Sequence, residues 1–140
     1  MREKIAQYLS YSPRNKVIFT PTVDPCLHTL DMGYELSYLI KDQLNSSHLP
    51  MIAEDCFSSI MRKALKYDEI IGDYIAIENW GILFEARLKF NLHSLFESYS
   101  KTNSLILVNC GEADYEKFHL VSKNYNTSFS IGYFQPYIIQ

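Results

Sequence analysis

The sequence predicts an α/β domain in three layers, with a mostly parallel sheet between helices. Three observations carry this. Apolar runs of strand length alternate along the chain with stretches of helical period. The most apolar run, Ser104–Asn109 (SLILVN), reads as a strand covered on both faces, as parallel strands are. The length of 140 residues suits a single domain. A chain of that size buries roughly 68–70% of its unfolded surface without staples. No internal repeat, low-complexity tract or Gly/Ser linker divides it.

The elements follow in order. Residues 2–10 form a short helix with Ile5, Tyr8 and Leu9 on one side. Ser12-Pro13 ends it, because the residue before a proline avoids the α region. Lys16–Thr20 (KVIFT) is a buried strand, Pro21 and Pro25 bracket a tight connection, and Leu27–Leu30 is a second short strand. Asp31 is placed as the N-cap of a helix running from Tyr34 to about Leu44, with Leu36, Leu39, Ile40 and Leu44 on its buried stripe. After the loop Asn45–His48, Pro50 suits the first turn of a helix in which Ala53, Cys56, Phe57, Ile60, Met61, Ala64 and Leu65 keep the 3.6 period. Asp73–Glu78 (DYIAIE) is a strand ending in an acid. Asn91–Tyr99 is a helix with Leu92, Leu95, Phe96 and Tyr99 inward, and it leads into Ser104–Asn109. Gly111 and the acids after it form a turn. Phe118–Val121 and Pro136–Ile139 are the last strands, with Ser122–Gln135 looping between them.

Charge and cysteine usage narrow the function. Sixteen acids oppose thirteen Lys and Arg, giving a net charge of −3. A surface dedicated to nucleic acid would carry a basic patch or stripe. Arg14, Lys16, Arg62, Lys63 and Lys66 form no such stripe by spacing, and direct nucleic-acid binding is not expected. No apolar run approaches the roughly 18 residues of a membrane helix, and residues 1–16 contain no apolar leader core, so a cytoplasmic protein is expected. Cys26, Cys56 and Cys110 lie far apart and read as reduced thiols, each a small buried hydrophobe. The four histidines are scattered without an H-x-x-x-H pair, so no metal site is expected.

Ligands of open α/β sheets sit at the carboxyl ends of the strands. The first strand runs into PTVDPC, where a phosphate-binding loop would need glycines and a lysine. No glycine precedes Gly33, no lysine falls between Lys16 and Lys41, and the two prolines remove N–H donors. The chain lacks the usual means of holding a triphosphate. Glu78, followed by Asn79, stands where a magnesium-binding acid would end its strand, although acids also end strands on solvated rims. Asn109 ends the next apolar strand, where a polar residue either meets a ligand or bonds its own turn. No G-x-S-x-G elbow or activated cysteine suggests a nucleophile, so neither enzyme nor cofactor is expected.

Aromatic residues are the other surplus. Eleven tyrosines occur, Tyr125, Tyr133 and Tyr137 among them, and Trp80, Phe84 and Phe90 crowd the segment WGILFEARLKF. Aromatics are enriched in interface cores, so Trp80, Phe84, Tyr133 and Tyr137 are the candidate partner contacts, with core packing as the plain alternative. Base stacking on Tyr11, Trp80 or Tyr137 would require an accompanying basic run.

The order of these segments resembles the small P-loop protein family BrxF of type 3 BREX phage-defence systems. The resemblance rests on Tyr34-Glu35-Leu36-Ser37, on Glu78-Asn79 closing an apolar strand, and on Ile82-Leu83-Phe84-Glu85-Ala86-Arg87-Leu88-Lys89. Ser100-Lys101-Thr102-Asn103 and Asn109-Cys110-Gly111 extend it, so that it spans roughly residues 16–140. It implies a P-loop NTPase-like sheet with the first strand near the centre and C-terminal strands free to run antiparallel. The family's phosphate-binding loop and much of its following helix are missing between Thr20 and Leu27, and Glu78 holds the position of its Walker B aspartate. The resemblance therefore implies a degenerate NTPase with Glu78, Asn79 and Asn109 as vestigial positions, and Leu27–Asp31 drawn close to the first strand. The implied role is a non-catalytic accessory or scaffold subunit of a multi-protein anti-phage complex. Its partner would be a larger ATPase, methylase or nuclease of the same system, with self-association through a sheet edge as a further option. The alternative is an atypical nucleotide binder or sensor using the strand ends around Glu78 and Asn109.

Overall fold

The computed structural model describes residues 1–121 and 127–140. The expected positions Ser122 to Asn126, Tyr125 among them, lie outside the described residues. The chain begins with α1 (Arg2–Ser10) and β1 (Val17–Thr20), continues through β2 (Thr29–Asp31), α2 (Met32–Ile40) and α3 (Leu49–Ala64), and reaches the hairpin of β3 (Lys66–Asp68) and β4 (Gly72–Glu78). Two 3₁₀ turns follow, Trp80–Phe84 and Ala86–Leu88, then α4 (Leu92–Ser100) and β5 (Ser104–Val108). The chain ends with β6 (Gly111–Ala113), β7 (Lys117–Leu120), β8 (Ser128–Ser130), a 3₁₀ turn at Gly132–Phe134, and β9 (Tyr137–Ile138).

The central sheet has the order β2-β4-β5-β1-β9, with all four pairings along that path parallel. This is the α/β class expected, with β1 inside the sheet and no helix between β1 and β2. β3 pairs antiparallel with the first half of β4, while β2 pairs with its second half, so two short strands share one edge. β6, β7 and β8 form a separate antiparallel sheet. The C-terminal strands thus divide: β7 and β8 are antiparallel, and β9 joins the main sheet parallel to β1.

Alternation along the strands sorts the core. Val17, Phe19, Ile75, Ile77, Leu105 and Leu107 face one side, beneath α2, α3, α4 and the small sheet. Ile18, Ala76 and Ile106 face the other, covered by Ile5, Tyr8 and Leu9 of α1 together with Val23 and Leu27. The segment Pro21–His28 is therefore a strap across the sheet that carries a turn at Asp24–Leu27, fixed where the His28 N–H donates to the Tyr74 hydroxyl at 2.9 Å.

Leu27–Asp31 does not settle beside β1. The strand there, β2, pairs with β4, and both β5 and β4 lie between it and β1. Three strand spacings amount to about 14 Å, and the strap's residues can reach about 26 Å when extended. The connection is short, but it is long enough to pair with the apolar edge of β4. β2 and β9 are the outer strands at the two ends of that order, as the expectation of exposed edges requires.

Other differences are local. The helix after Asp31 stops at Ile40, so Leu44 lies beyond it and is exposed, and Leu39, within the helix but off the stripe of Met32, Leu36 and Ile40, is exposed as well. Gly111 begins β6 and is not part of a turn: a Cβ there would meet the backbone of His119, so the glycine permits close strand approach. The turn comes later, where the Asp114 carboxylate accepts from the N–H groups of Glu116 and Lys117, both at 2.8 Å. The expected loop before Gln135 contains β8 and a 3₁₀ turn. Of the cysteines, Cys56 and Cys110 are half-buried, whereas Cys26 lies on the exposed strap.

Arg2 joins α1 to the hairpin. Its guanidinium donates to Asp68 at 3.0 Å, and the other Asp68 oxygen accepts from the Ile70 and Ile71 N–H groups at 2.9 and 3.1 Å. Burial alone would raise the Asp68 carboxyl, but these donors outweigh it and hold the group below its ordinary value. A depressed acid adds stability above its unfolded value, about 3.9 for aspartate, and loses that contribution as pH falls through the folded one. Asp68→Asn is therefore expected to lower the melting temperature at neutral pH, with the gap to the unsubstituted chain closing as pH falls below about 4. A gap independent of pH in thermal melts overturns this assignment.

Candidate functional site

The strand ends on the carboxyl side of the sheet bring together Thr20, Asp31, Glu78, Asn79 and Asn109. Asp31 ends β2 and caps α2, with its Oδ1 accepting from the Tyr34 N–H at 2.9 Å. The same oxygen accepts from Asn79 Nδ2 at 2.9 Å. Asn79 has φ of 52°, a left-handed conformation that asparagine tolerates better than most residues, and it turns the chain off β4. Its side chain lies against Gly33 at the start of α2, where a Cβ would come within 2.8 Å of the Asn79 carbonyl oxygen. The expected ligand position Asn79 thus closes the β4 turn onto the α2 cap. Glu78 is exposed beside it. Asn109 follows β5, and its N–H donates to the Thr20 carbonyl at 2.8 Å.

The strap after β1 contains Pro21 and Pro25 and no helix, so no helix N-terminus faces the strand ends from β1. Among the described residues, no three His, Cys, Asp or Glu side chains converge to hold a metal ion.

Trp80 is not a surface residue. It is 0% exposed, and its Nε1–H donates to the Val108 carbonyl at 2.8 Å. Its ring lies 4.6 Å from that of Phe118 and 5.7 Å from that of Phe96, with Phe19 and Phe84 next to it. The physical reason is the left-handed turn at Asn79, which swings the indole beneath the small sheet. Trp80 is therefore withdrawn as a partner contact.

The other aromatic candidates are dispersed. Tyr137 stacks on Tyr8 at 5.4 Å, and the Tyr8 hydroxyl donates its one proton to the Asn15 carbonyl at 3.0 Å, with the Gln135 carbonyl the alternative acceptor at 3.2 Å. Burial pushes that phenol up to about 12. This pair bolts α1 to β9. Tyr133 is half-exposed, but its hydroxyl donates to Glu97 at 3.5 Å and its ring meets Arg14 and His93. Phe84 alone reaches an open cleft while packing against Trp80 and Phe129.

That cleft has a volume of about 510 Å³. Ser37, Ile40 and Lys41 of α2 form one wall, and Ile82, Phe84 and Leu88 form another. Glu85 and Arg87 stand at the rim, paired at 3.2 Å, and the Arg87 N–H helps hold the Glu85 carboxyl below its ordinary value. Beyond the rim, α2 carries Tyr34 and Tyr38, 66% and 58% exposed, with ring centroids 6.4 Å apart. Lys41 sits over the Tyr38 ring at 4.5 Å. The sequence contains the signal for this face, because Tyr34, Tyr38 and Lys41 recur at helical spacing opposite Leu36 and Ile40. Attention to the inward stripe missed it.

Cys110, near Trp80, is raised to about 11 by burial and is unsuited to act as a thiolate nucleophile. No helix among the described residues is long and apolar enough to cross a membrane. No family model, curated protein or solved structure significantly matches the chain. The molecule is thus defined by its own geometry: an α/β sheet with a bare first strand end and an aromatic helix face beside a cleft.

Two stability outcomes follow from these assignments. Trp80→Ala removes a fully buried ring and orphans the Val108 carbonyl, so a loss of about 3–5 kcal/mol is expected in urea unfolding. A loss below 1 kcal/mol overturns the core assignment. Asp31→Ala removes the cap of α2 and the acceptor of Asn79, with an expected loss of about 1–2 kcal/mol. An unchanged denaturation midpoint counts against it.

Proposed function

We propose that this protein is a non-catalytic accessory subunit of a bacterial anti-phage defence complex, engaging a larger partner through the outer face of α2 and the cleft beside it. The observation that carries the binding half of this reading is the exposed Tyr34–Tyr38 stack with Lys41, beside a cleft lined by Ile40, Ile82, Phe84 and Leu88. Tyrosine provides large, rigid contact area at small entropic cost, and it is enriched where partners bury their strongest contacts. Phe84 stays in the proposal as part of the cleft floor, and Trp80 supports it from behind.

The defence setting rests on the sequence resemblance around Tyr34–Ser37 and Ile82–Lys89. Those two segments fall on α2 and the adjoining 3₁₀ turns, so both border the same cleft. The non-catalytic half is supported by the strap after β1, which offers no glycine loop or lysine to a triphosphate. The partner class is an ATPase, methylase or nuclease of the same system, and no membrane contact is invoked.

The test is purification of the tagged protein from its native cells beside the double variant Tyr34→Ala/Tyr38→Ala. The expected result is a larger defence protein in near-stoichiometric amount with the unsubstituted chain, and at least a tenfold loss with the variant at an unchanged melting temperature. Recovery of the chain alone, or equal recovery by the variant, overturns the proposal.

A further inference from the structure

The small antiparallel sheet ends in a strand whose unused backbone groups are located by its ladder. β7 divides its bonds between its two neighbours. Toward β6, the Asp114 N–H donates to the Lys117 carbonyl at 2.9 Å and the Val121 N–H to the Cys110 carbonyl at 3.1 Å. Toward β8, the Leu120 N–H donates to the Thr127 carbonyl at 2.9 Å, and the Ile131 N–H donates to the Glu116 carbonyl at 2.8 Å. Bonded and non-bonded residues alternate along an antiparallel pair. Phe129, opposite Phe118, therefore bonds to β7, whereas Ser128 and Ser130 turn their N–H and C=O groups away from it. β8 is the last strand of its sheet among the described residues, and both serines are exposed.

A groove of about 550 Å³ adjoins this edge. β8 itself lines it, with Phe84, Phe90 and the start of α4 at Asn91–His93. The Phe129 ring lies 5.7 Å from that of Phe84, so the inward face of β8 is the one that meets the groove. No lysine, arginine, aspartate or glutamate lines it, and its one titratable group, His93, already faces Glu97 at 3.8 Å. A charged side chain would lose hydration there without gaining a counter-charge, so the walls select an uncharged one.

The edge and the groove together specify an occupant. In an antiparallel strand laid against β8, two residues spaced two apart satisfy the N–H and C=O groups of both serines. The residue between them stands opposite Phe129 and projects to the same face, toward Phe84 and Phe90. We infer that β8 takes up an extended segment of a partner protein as an added antiparallel strand, with an apolar side chain seated in this groove. Main-chain pairing supplies the affinity, and the groove supplies the choice of side chain. Phe84 lines both this groove and the cleft beside α2, so the two surfaces adjoin. The inference rests on β8 and not on Tyr34 and Tyr38, and it stands whether or not their face binds a partner.

The experiment is a ¹⁵N NMR titration of the full chain with the peptide acetyl-Thr-Thr-Phe-Thr-Thr-amide. Saturable shifts at the Ser128 and Ser130 amides are expected, with Overhauser contacts from the peptide ring to Phe84 and Phe90. N-methylation of the two threonines beside the phenylalanine removes the N–H groups that face β8. It should weaken binding at least tenfold, as the loss of two hydrogen bonds does. N-methylation of the phenylalanine, whose N–H faces away, should change affinity by less than about twofold. Aspartate in place of the phenylalanine should weaken binding at least tenfold. Ser130→Pro removes an N–H that β7 does not use, so it should weaken the peptide several-fold at an unchanged melting temperature; if this variant does not fold, the methylated peptides decide. The inference is overturned by the absence of saturable binding, by equal binding of the threonine-methylated or aspartate peptide, or by loss of binding on methylating the phenylalanine alone. It is also overturned by concentration-dependent shifts at Ser128 and Ser130 in the free chain, which mark pairing of β8 with a second copy.

Discussion

The hydrogen bond from the Trp80 indole to the Val108 carbonyl, with the aromatic packing around it, holds this molecule's layers together. The indole hangs from the end of β4, and its acceptor is the last residue of β5. One side chain therefore ties two adjacent strands at the end where their pairing finishes. Phe118 and Phe129 bring the small antiparallel sheet onto the same cluster, and Phe96 brings α4. Phe84, which also meets Phe118 and Phe129, lines the cleft beside α2. The position of the proposed partner face thus depends on an indole that no partner touches.

The two faces of the sheet are covered unequally. Three helices and a second sheet pack on one side. Among the described residues the other is covered by α1 and the strap, with Ile71 of the β3–β4 turn and Ile139 beside them. A strap of this kind buries little apolar area, so its anchors matter. Leu27 enters the core, His28 bonds to Tyr74, and Asp24 pairs with Arg2, which also reaches Asp68. The absence of a helix between β1 and β2 is compatible with a closed core because α1 fills the space from the other direction in sequence. It also leaves the carboxyl end of β1 without the oriented N–H groups that a helix start would present there.

Much of the fold was legible because it depends on local chemistry. Asp31 caps α2 through the Tyr34 N–H, and Asn91 caps α4 through the Ser94 N–H, as short polar residues before an apolar stripe should. The apolar runs at Val17–Thr20 and Ser104–Val108 are strands because a continuous run of that length fits only a covered sheet. What was not legible depends on pairing at a distance. Thr29–Asp31 carries no mark that distinguishes β1 from β4 as its neighbour. Lys66–Asp68 is polar and short, and it becomes a strand only because β4 has a free edge beside it. The candidate site divides in the same way. Asn79 and Asn109 lie at strand ends as expected, but the backbone turn at Asn79 sent Trp80 inward, and a tryptophan after a strand looks the same in sequence whichever way it points.

Polar residues at strand ends do not by themselves define a ligand site; what matters is whether their bonding capacity is already used. Asp31 and Asn79 bond to each other and to the start of α2, so their arrangement is explained by the fold. Asn109 occupies the equivalent place one strand over, and its backbone is used in the same manner, yet its side-chain oxygen is not. The difference follows from topology. Asp31 and Asn79 sit where β2 and α2 close over β4, whereas Asn109 sits where the chain parts from β1 and leaves a crevice. Strand order, and not any loop, creates this crevice.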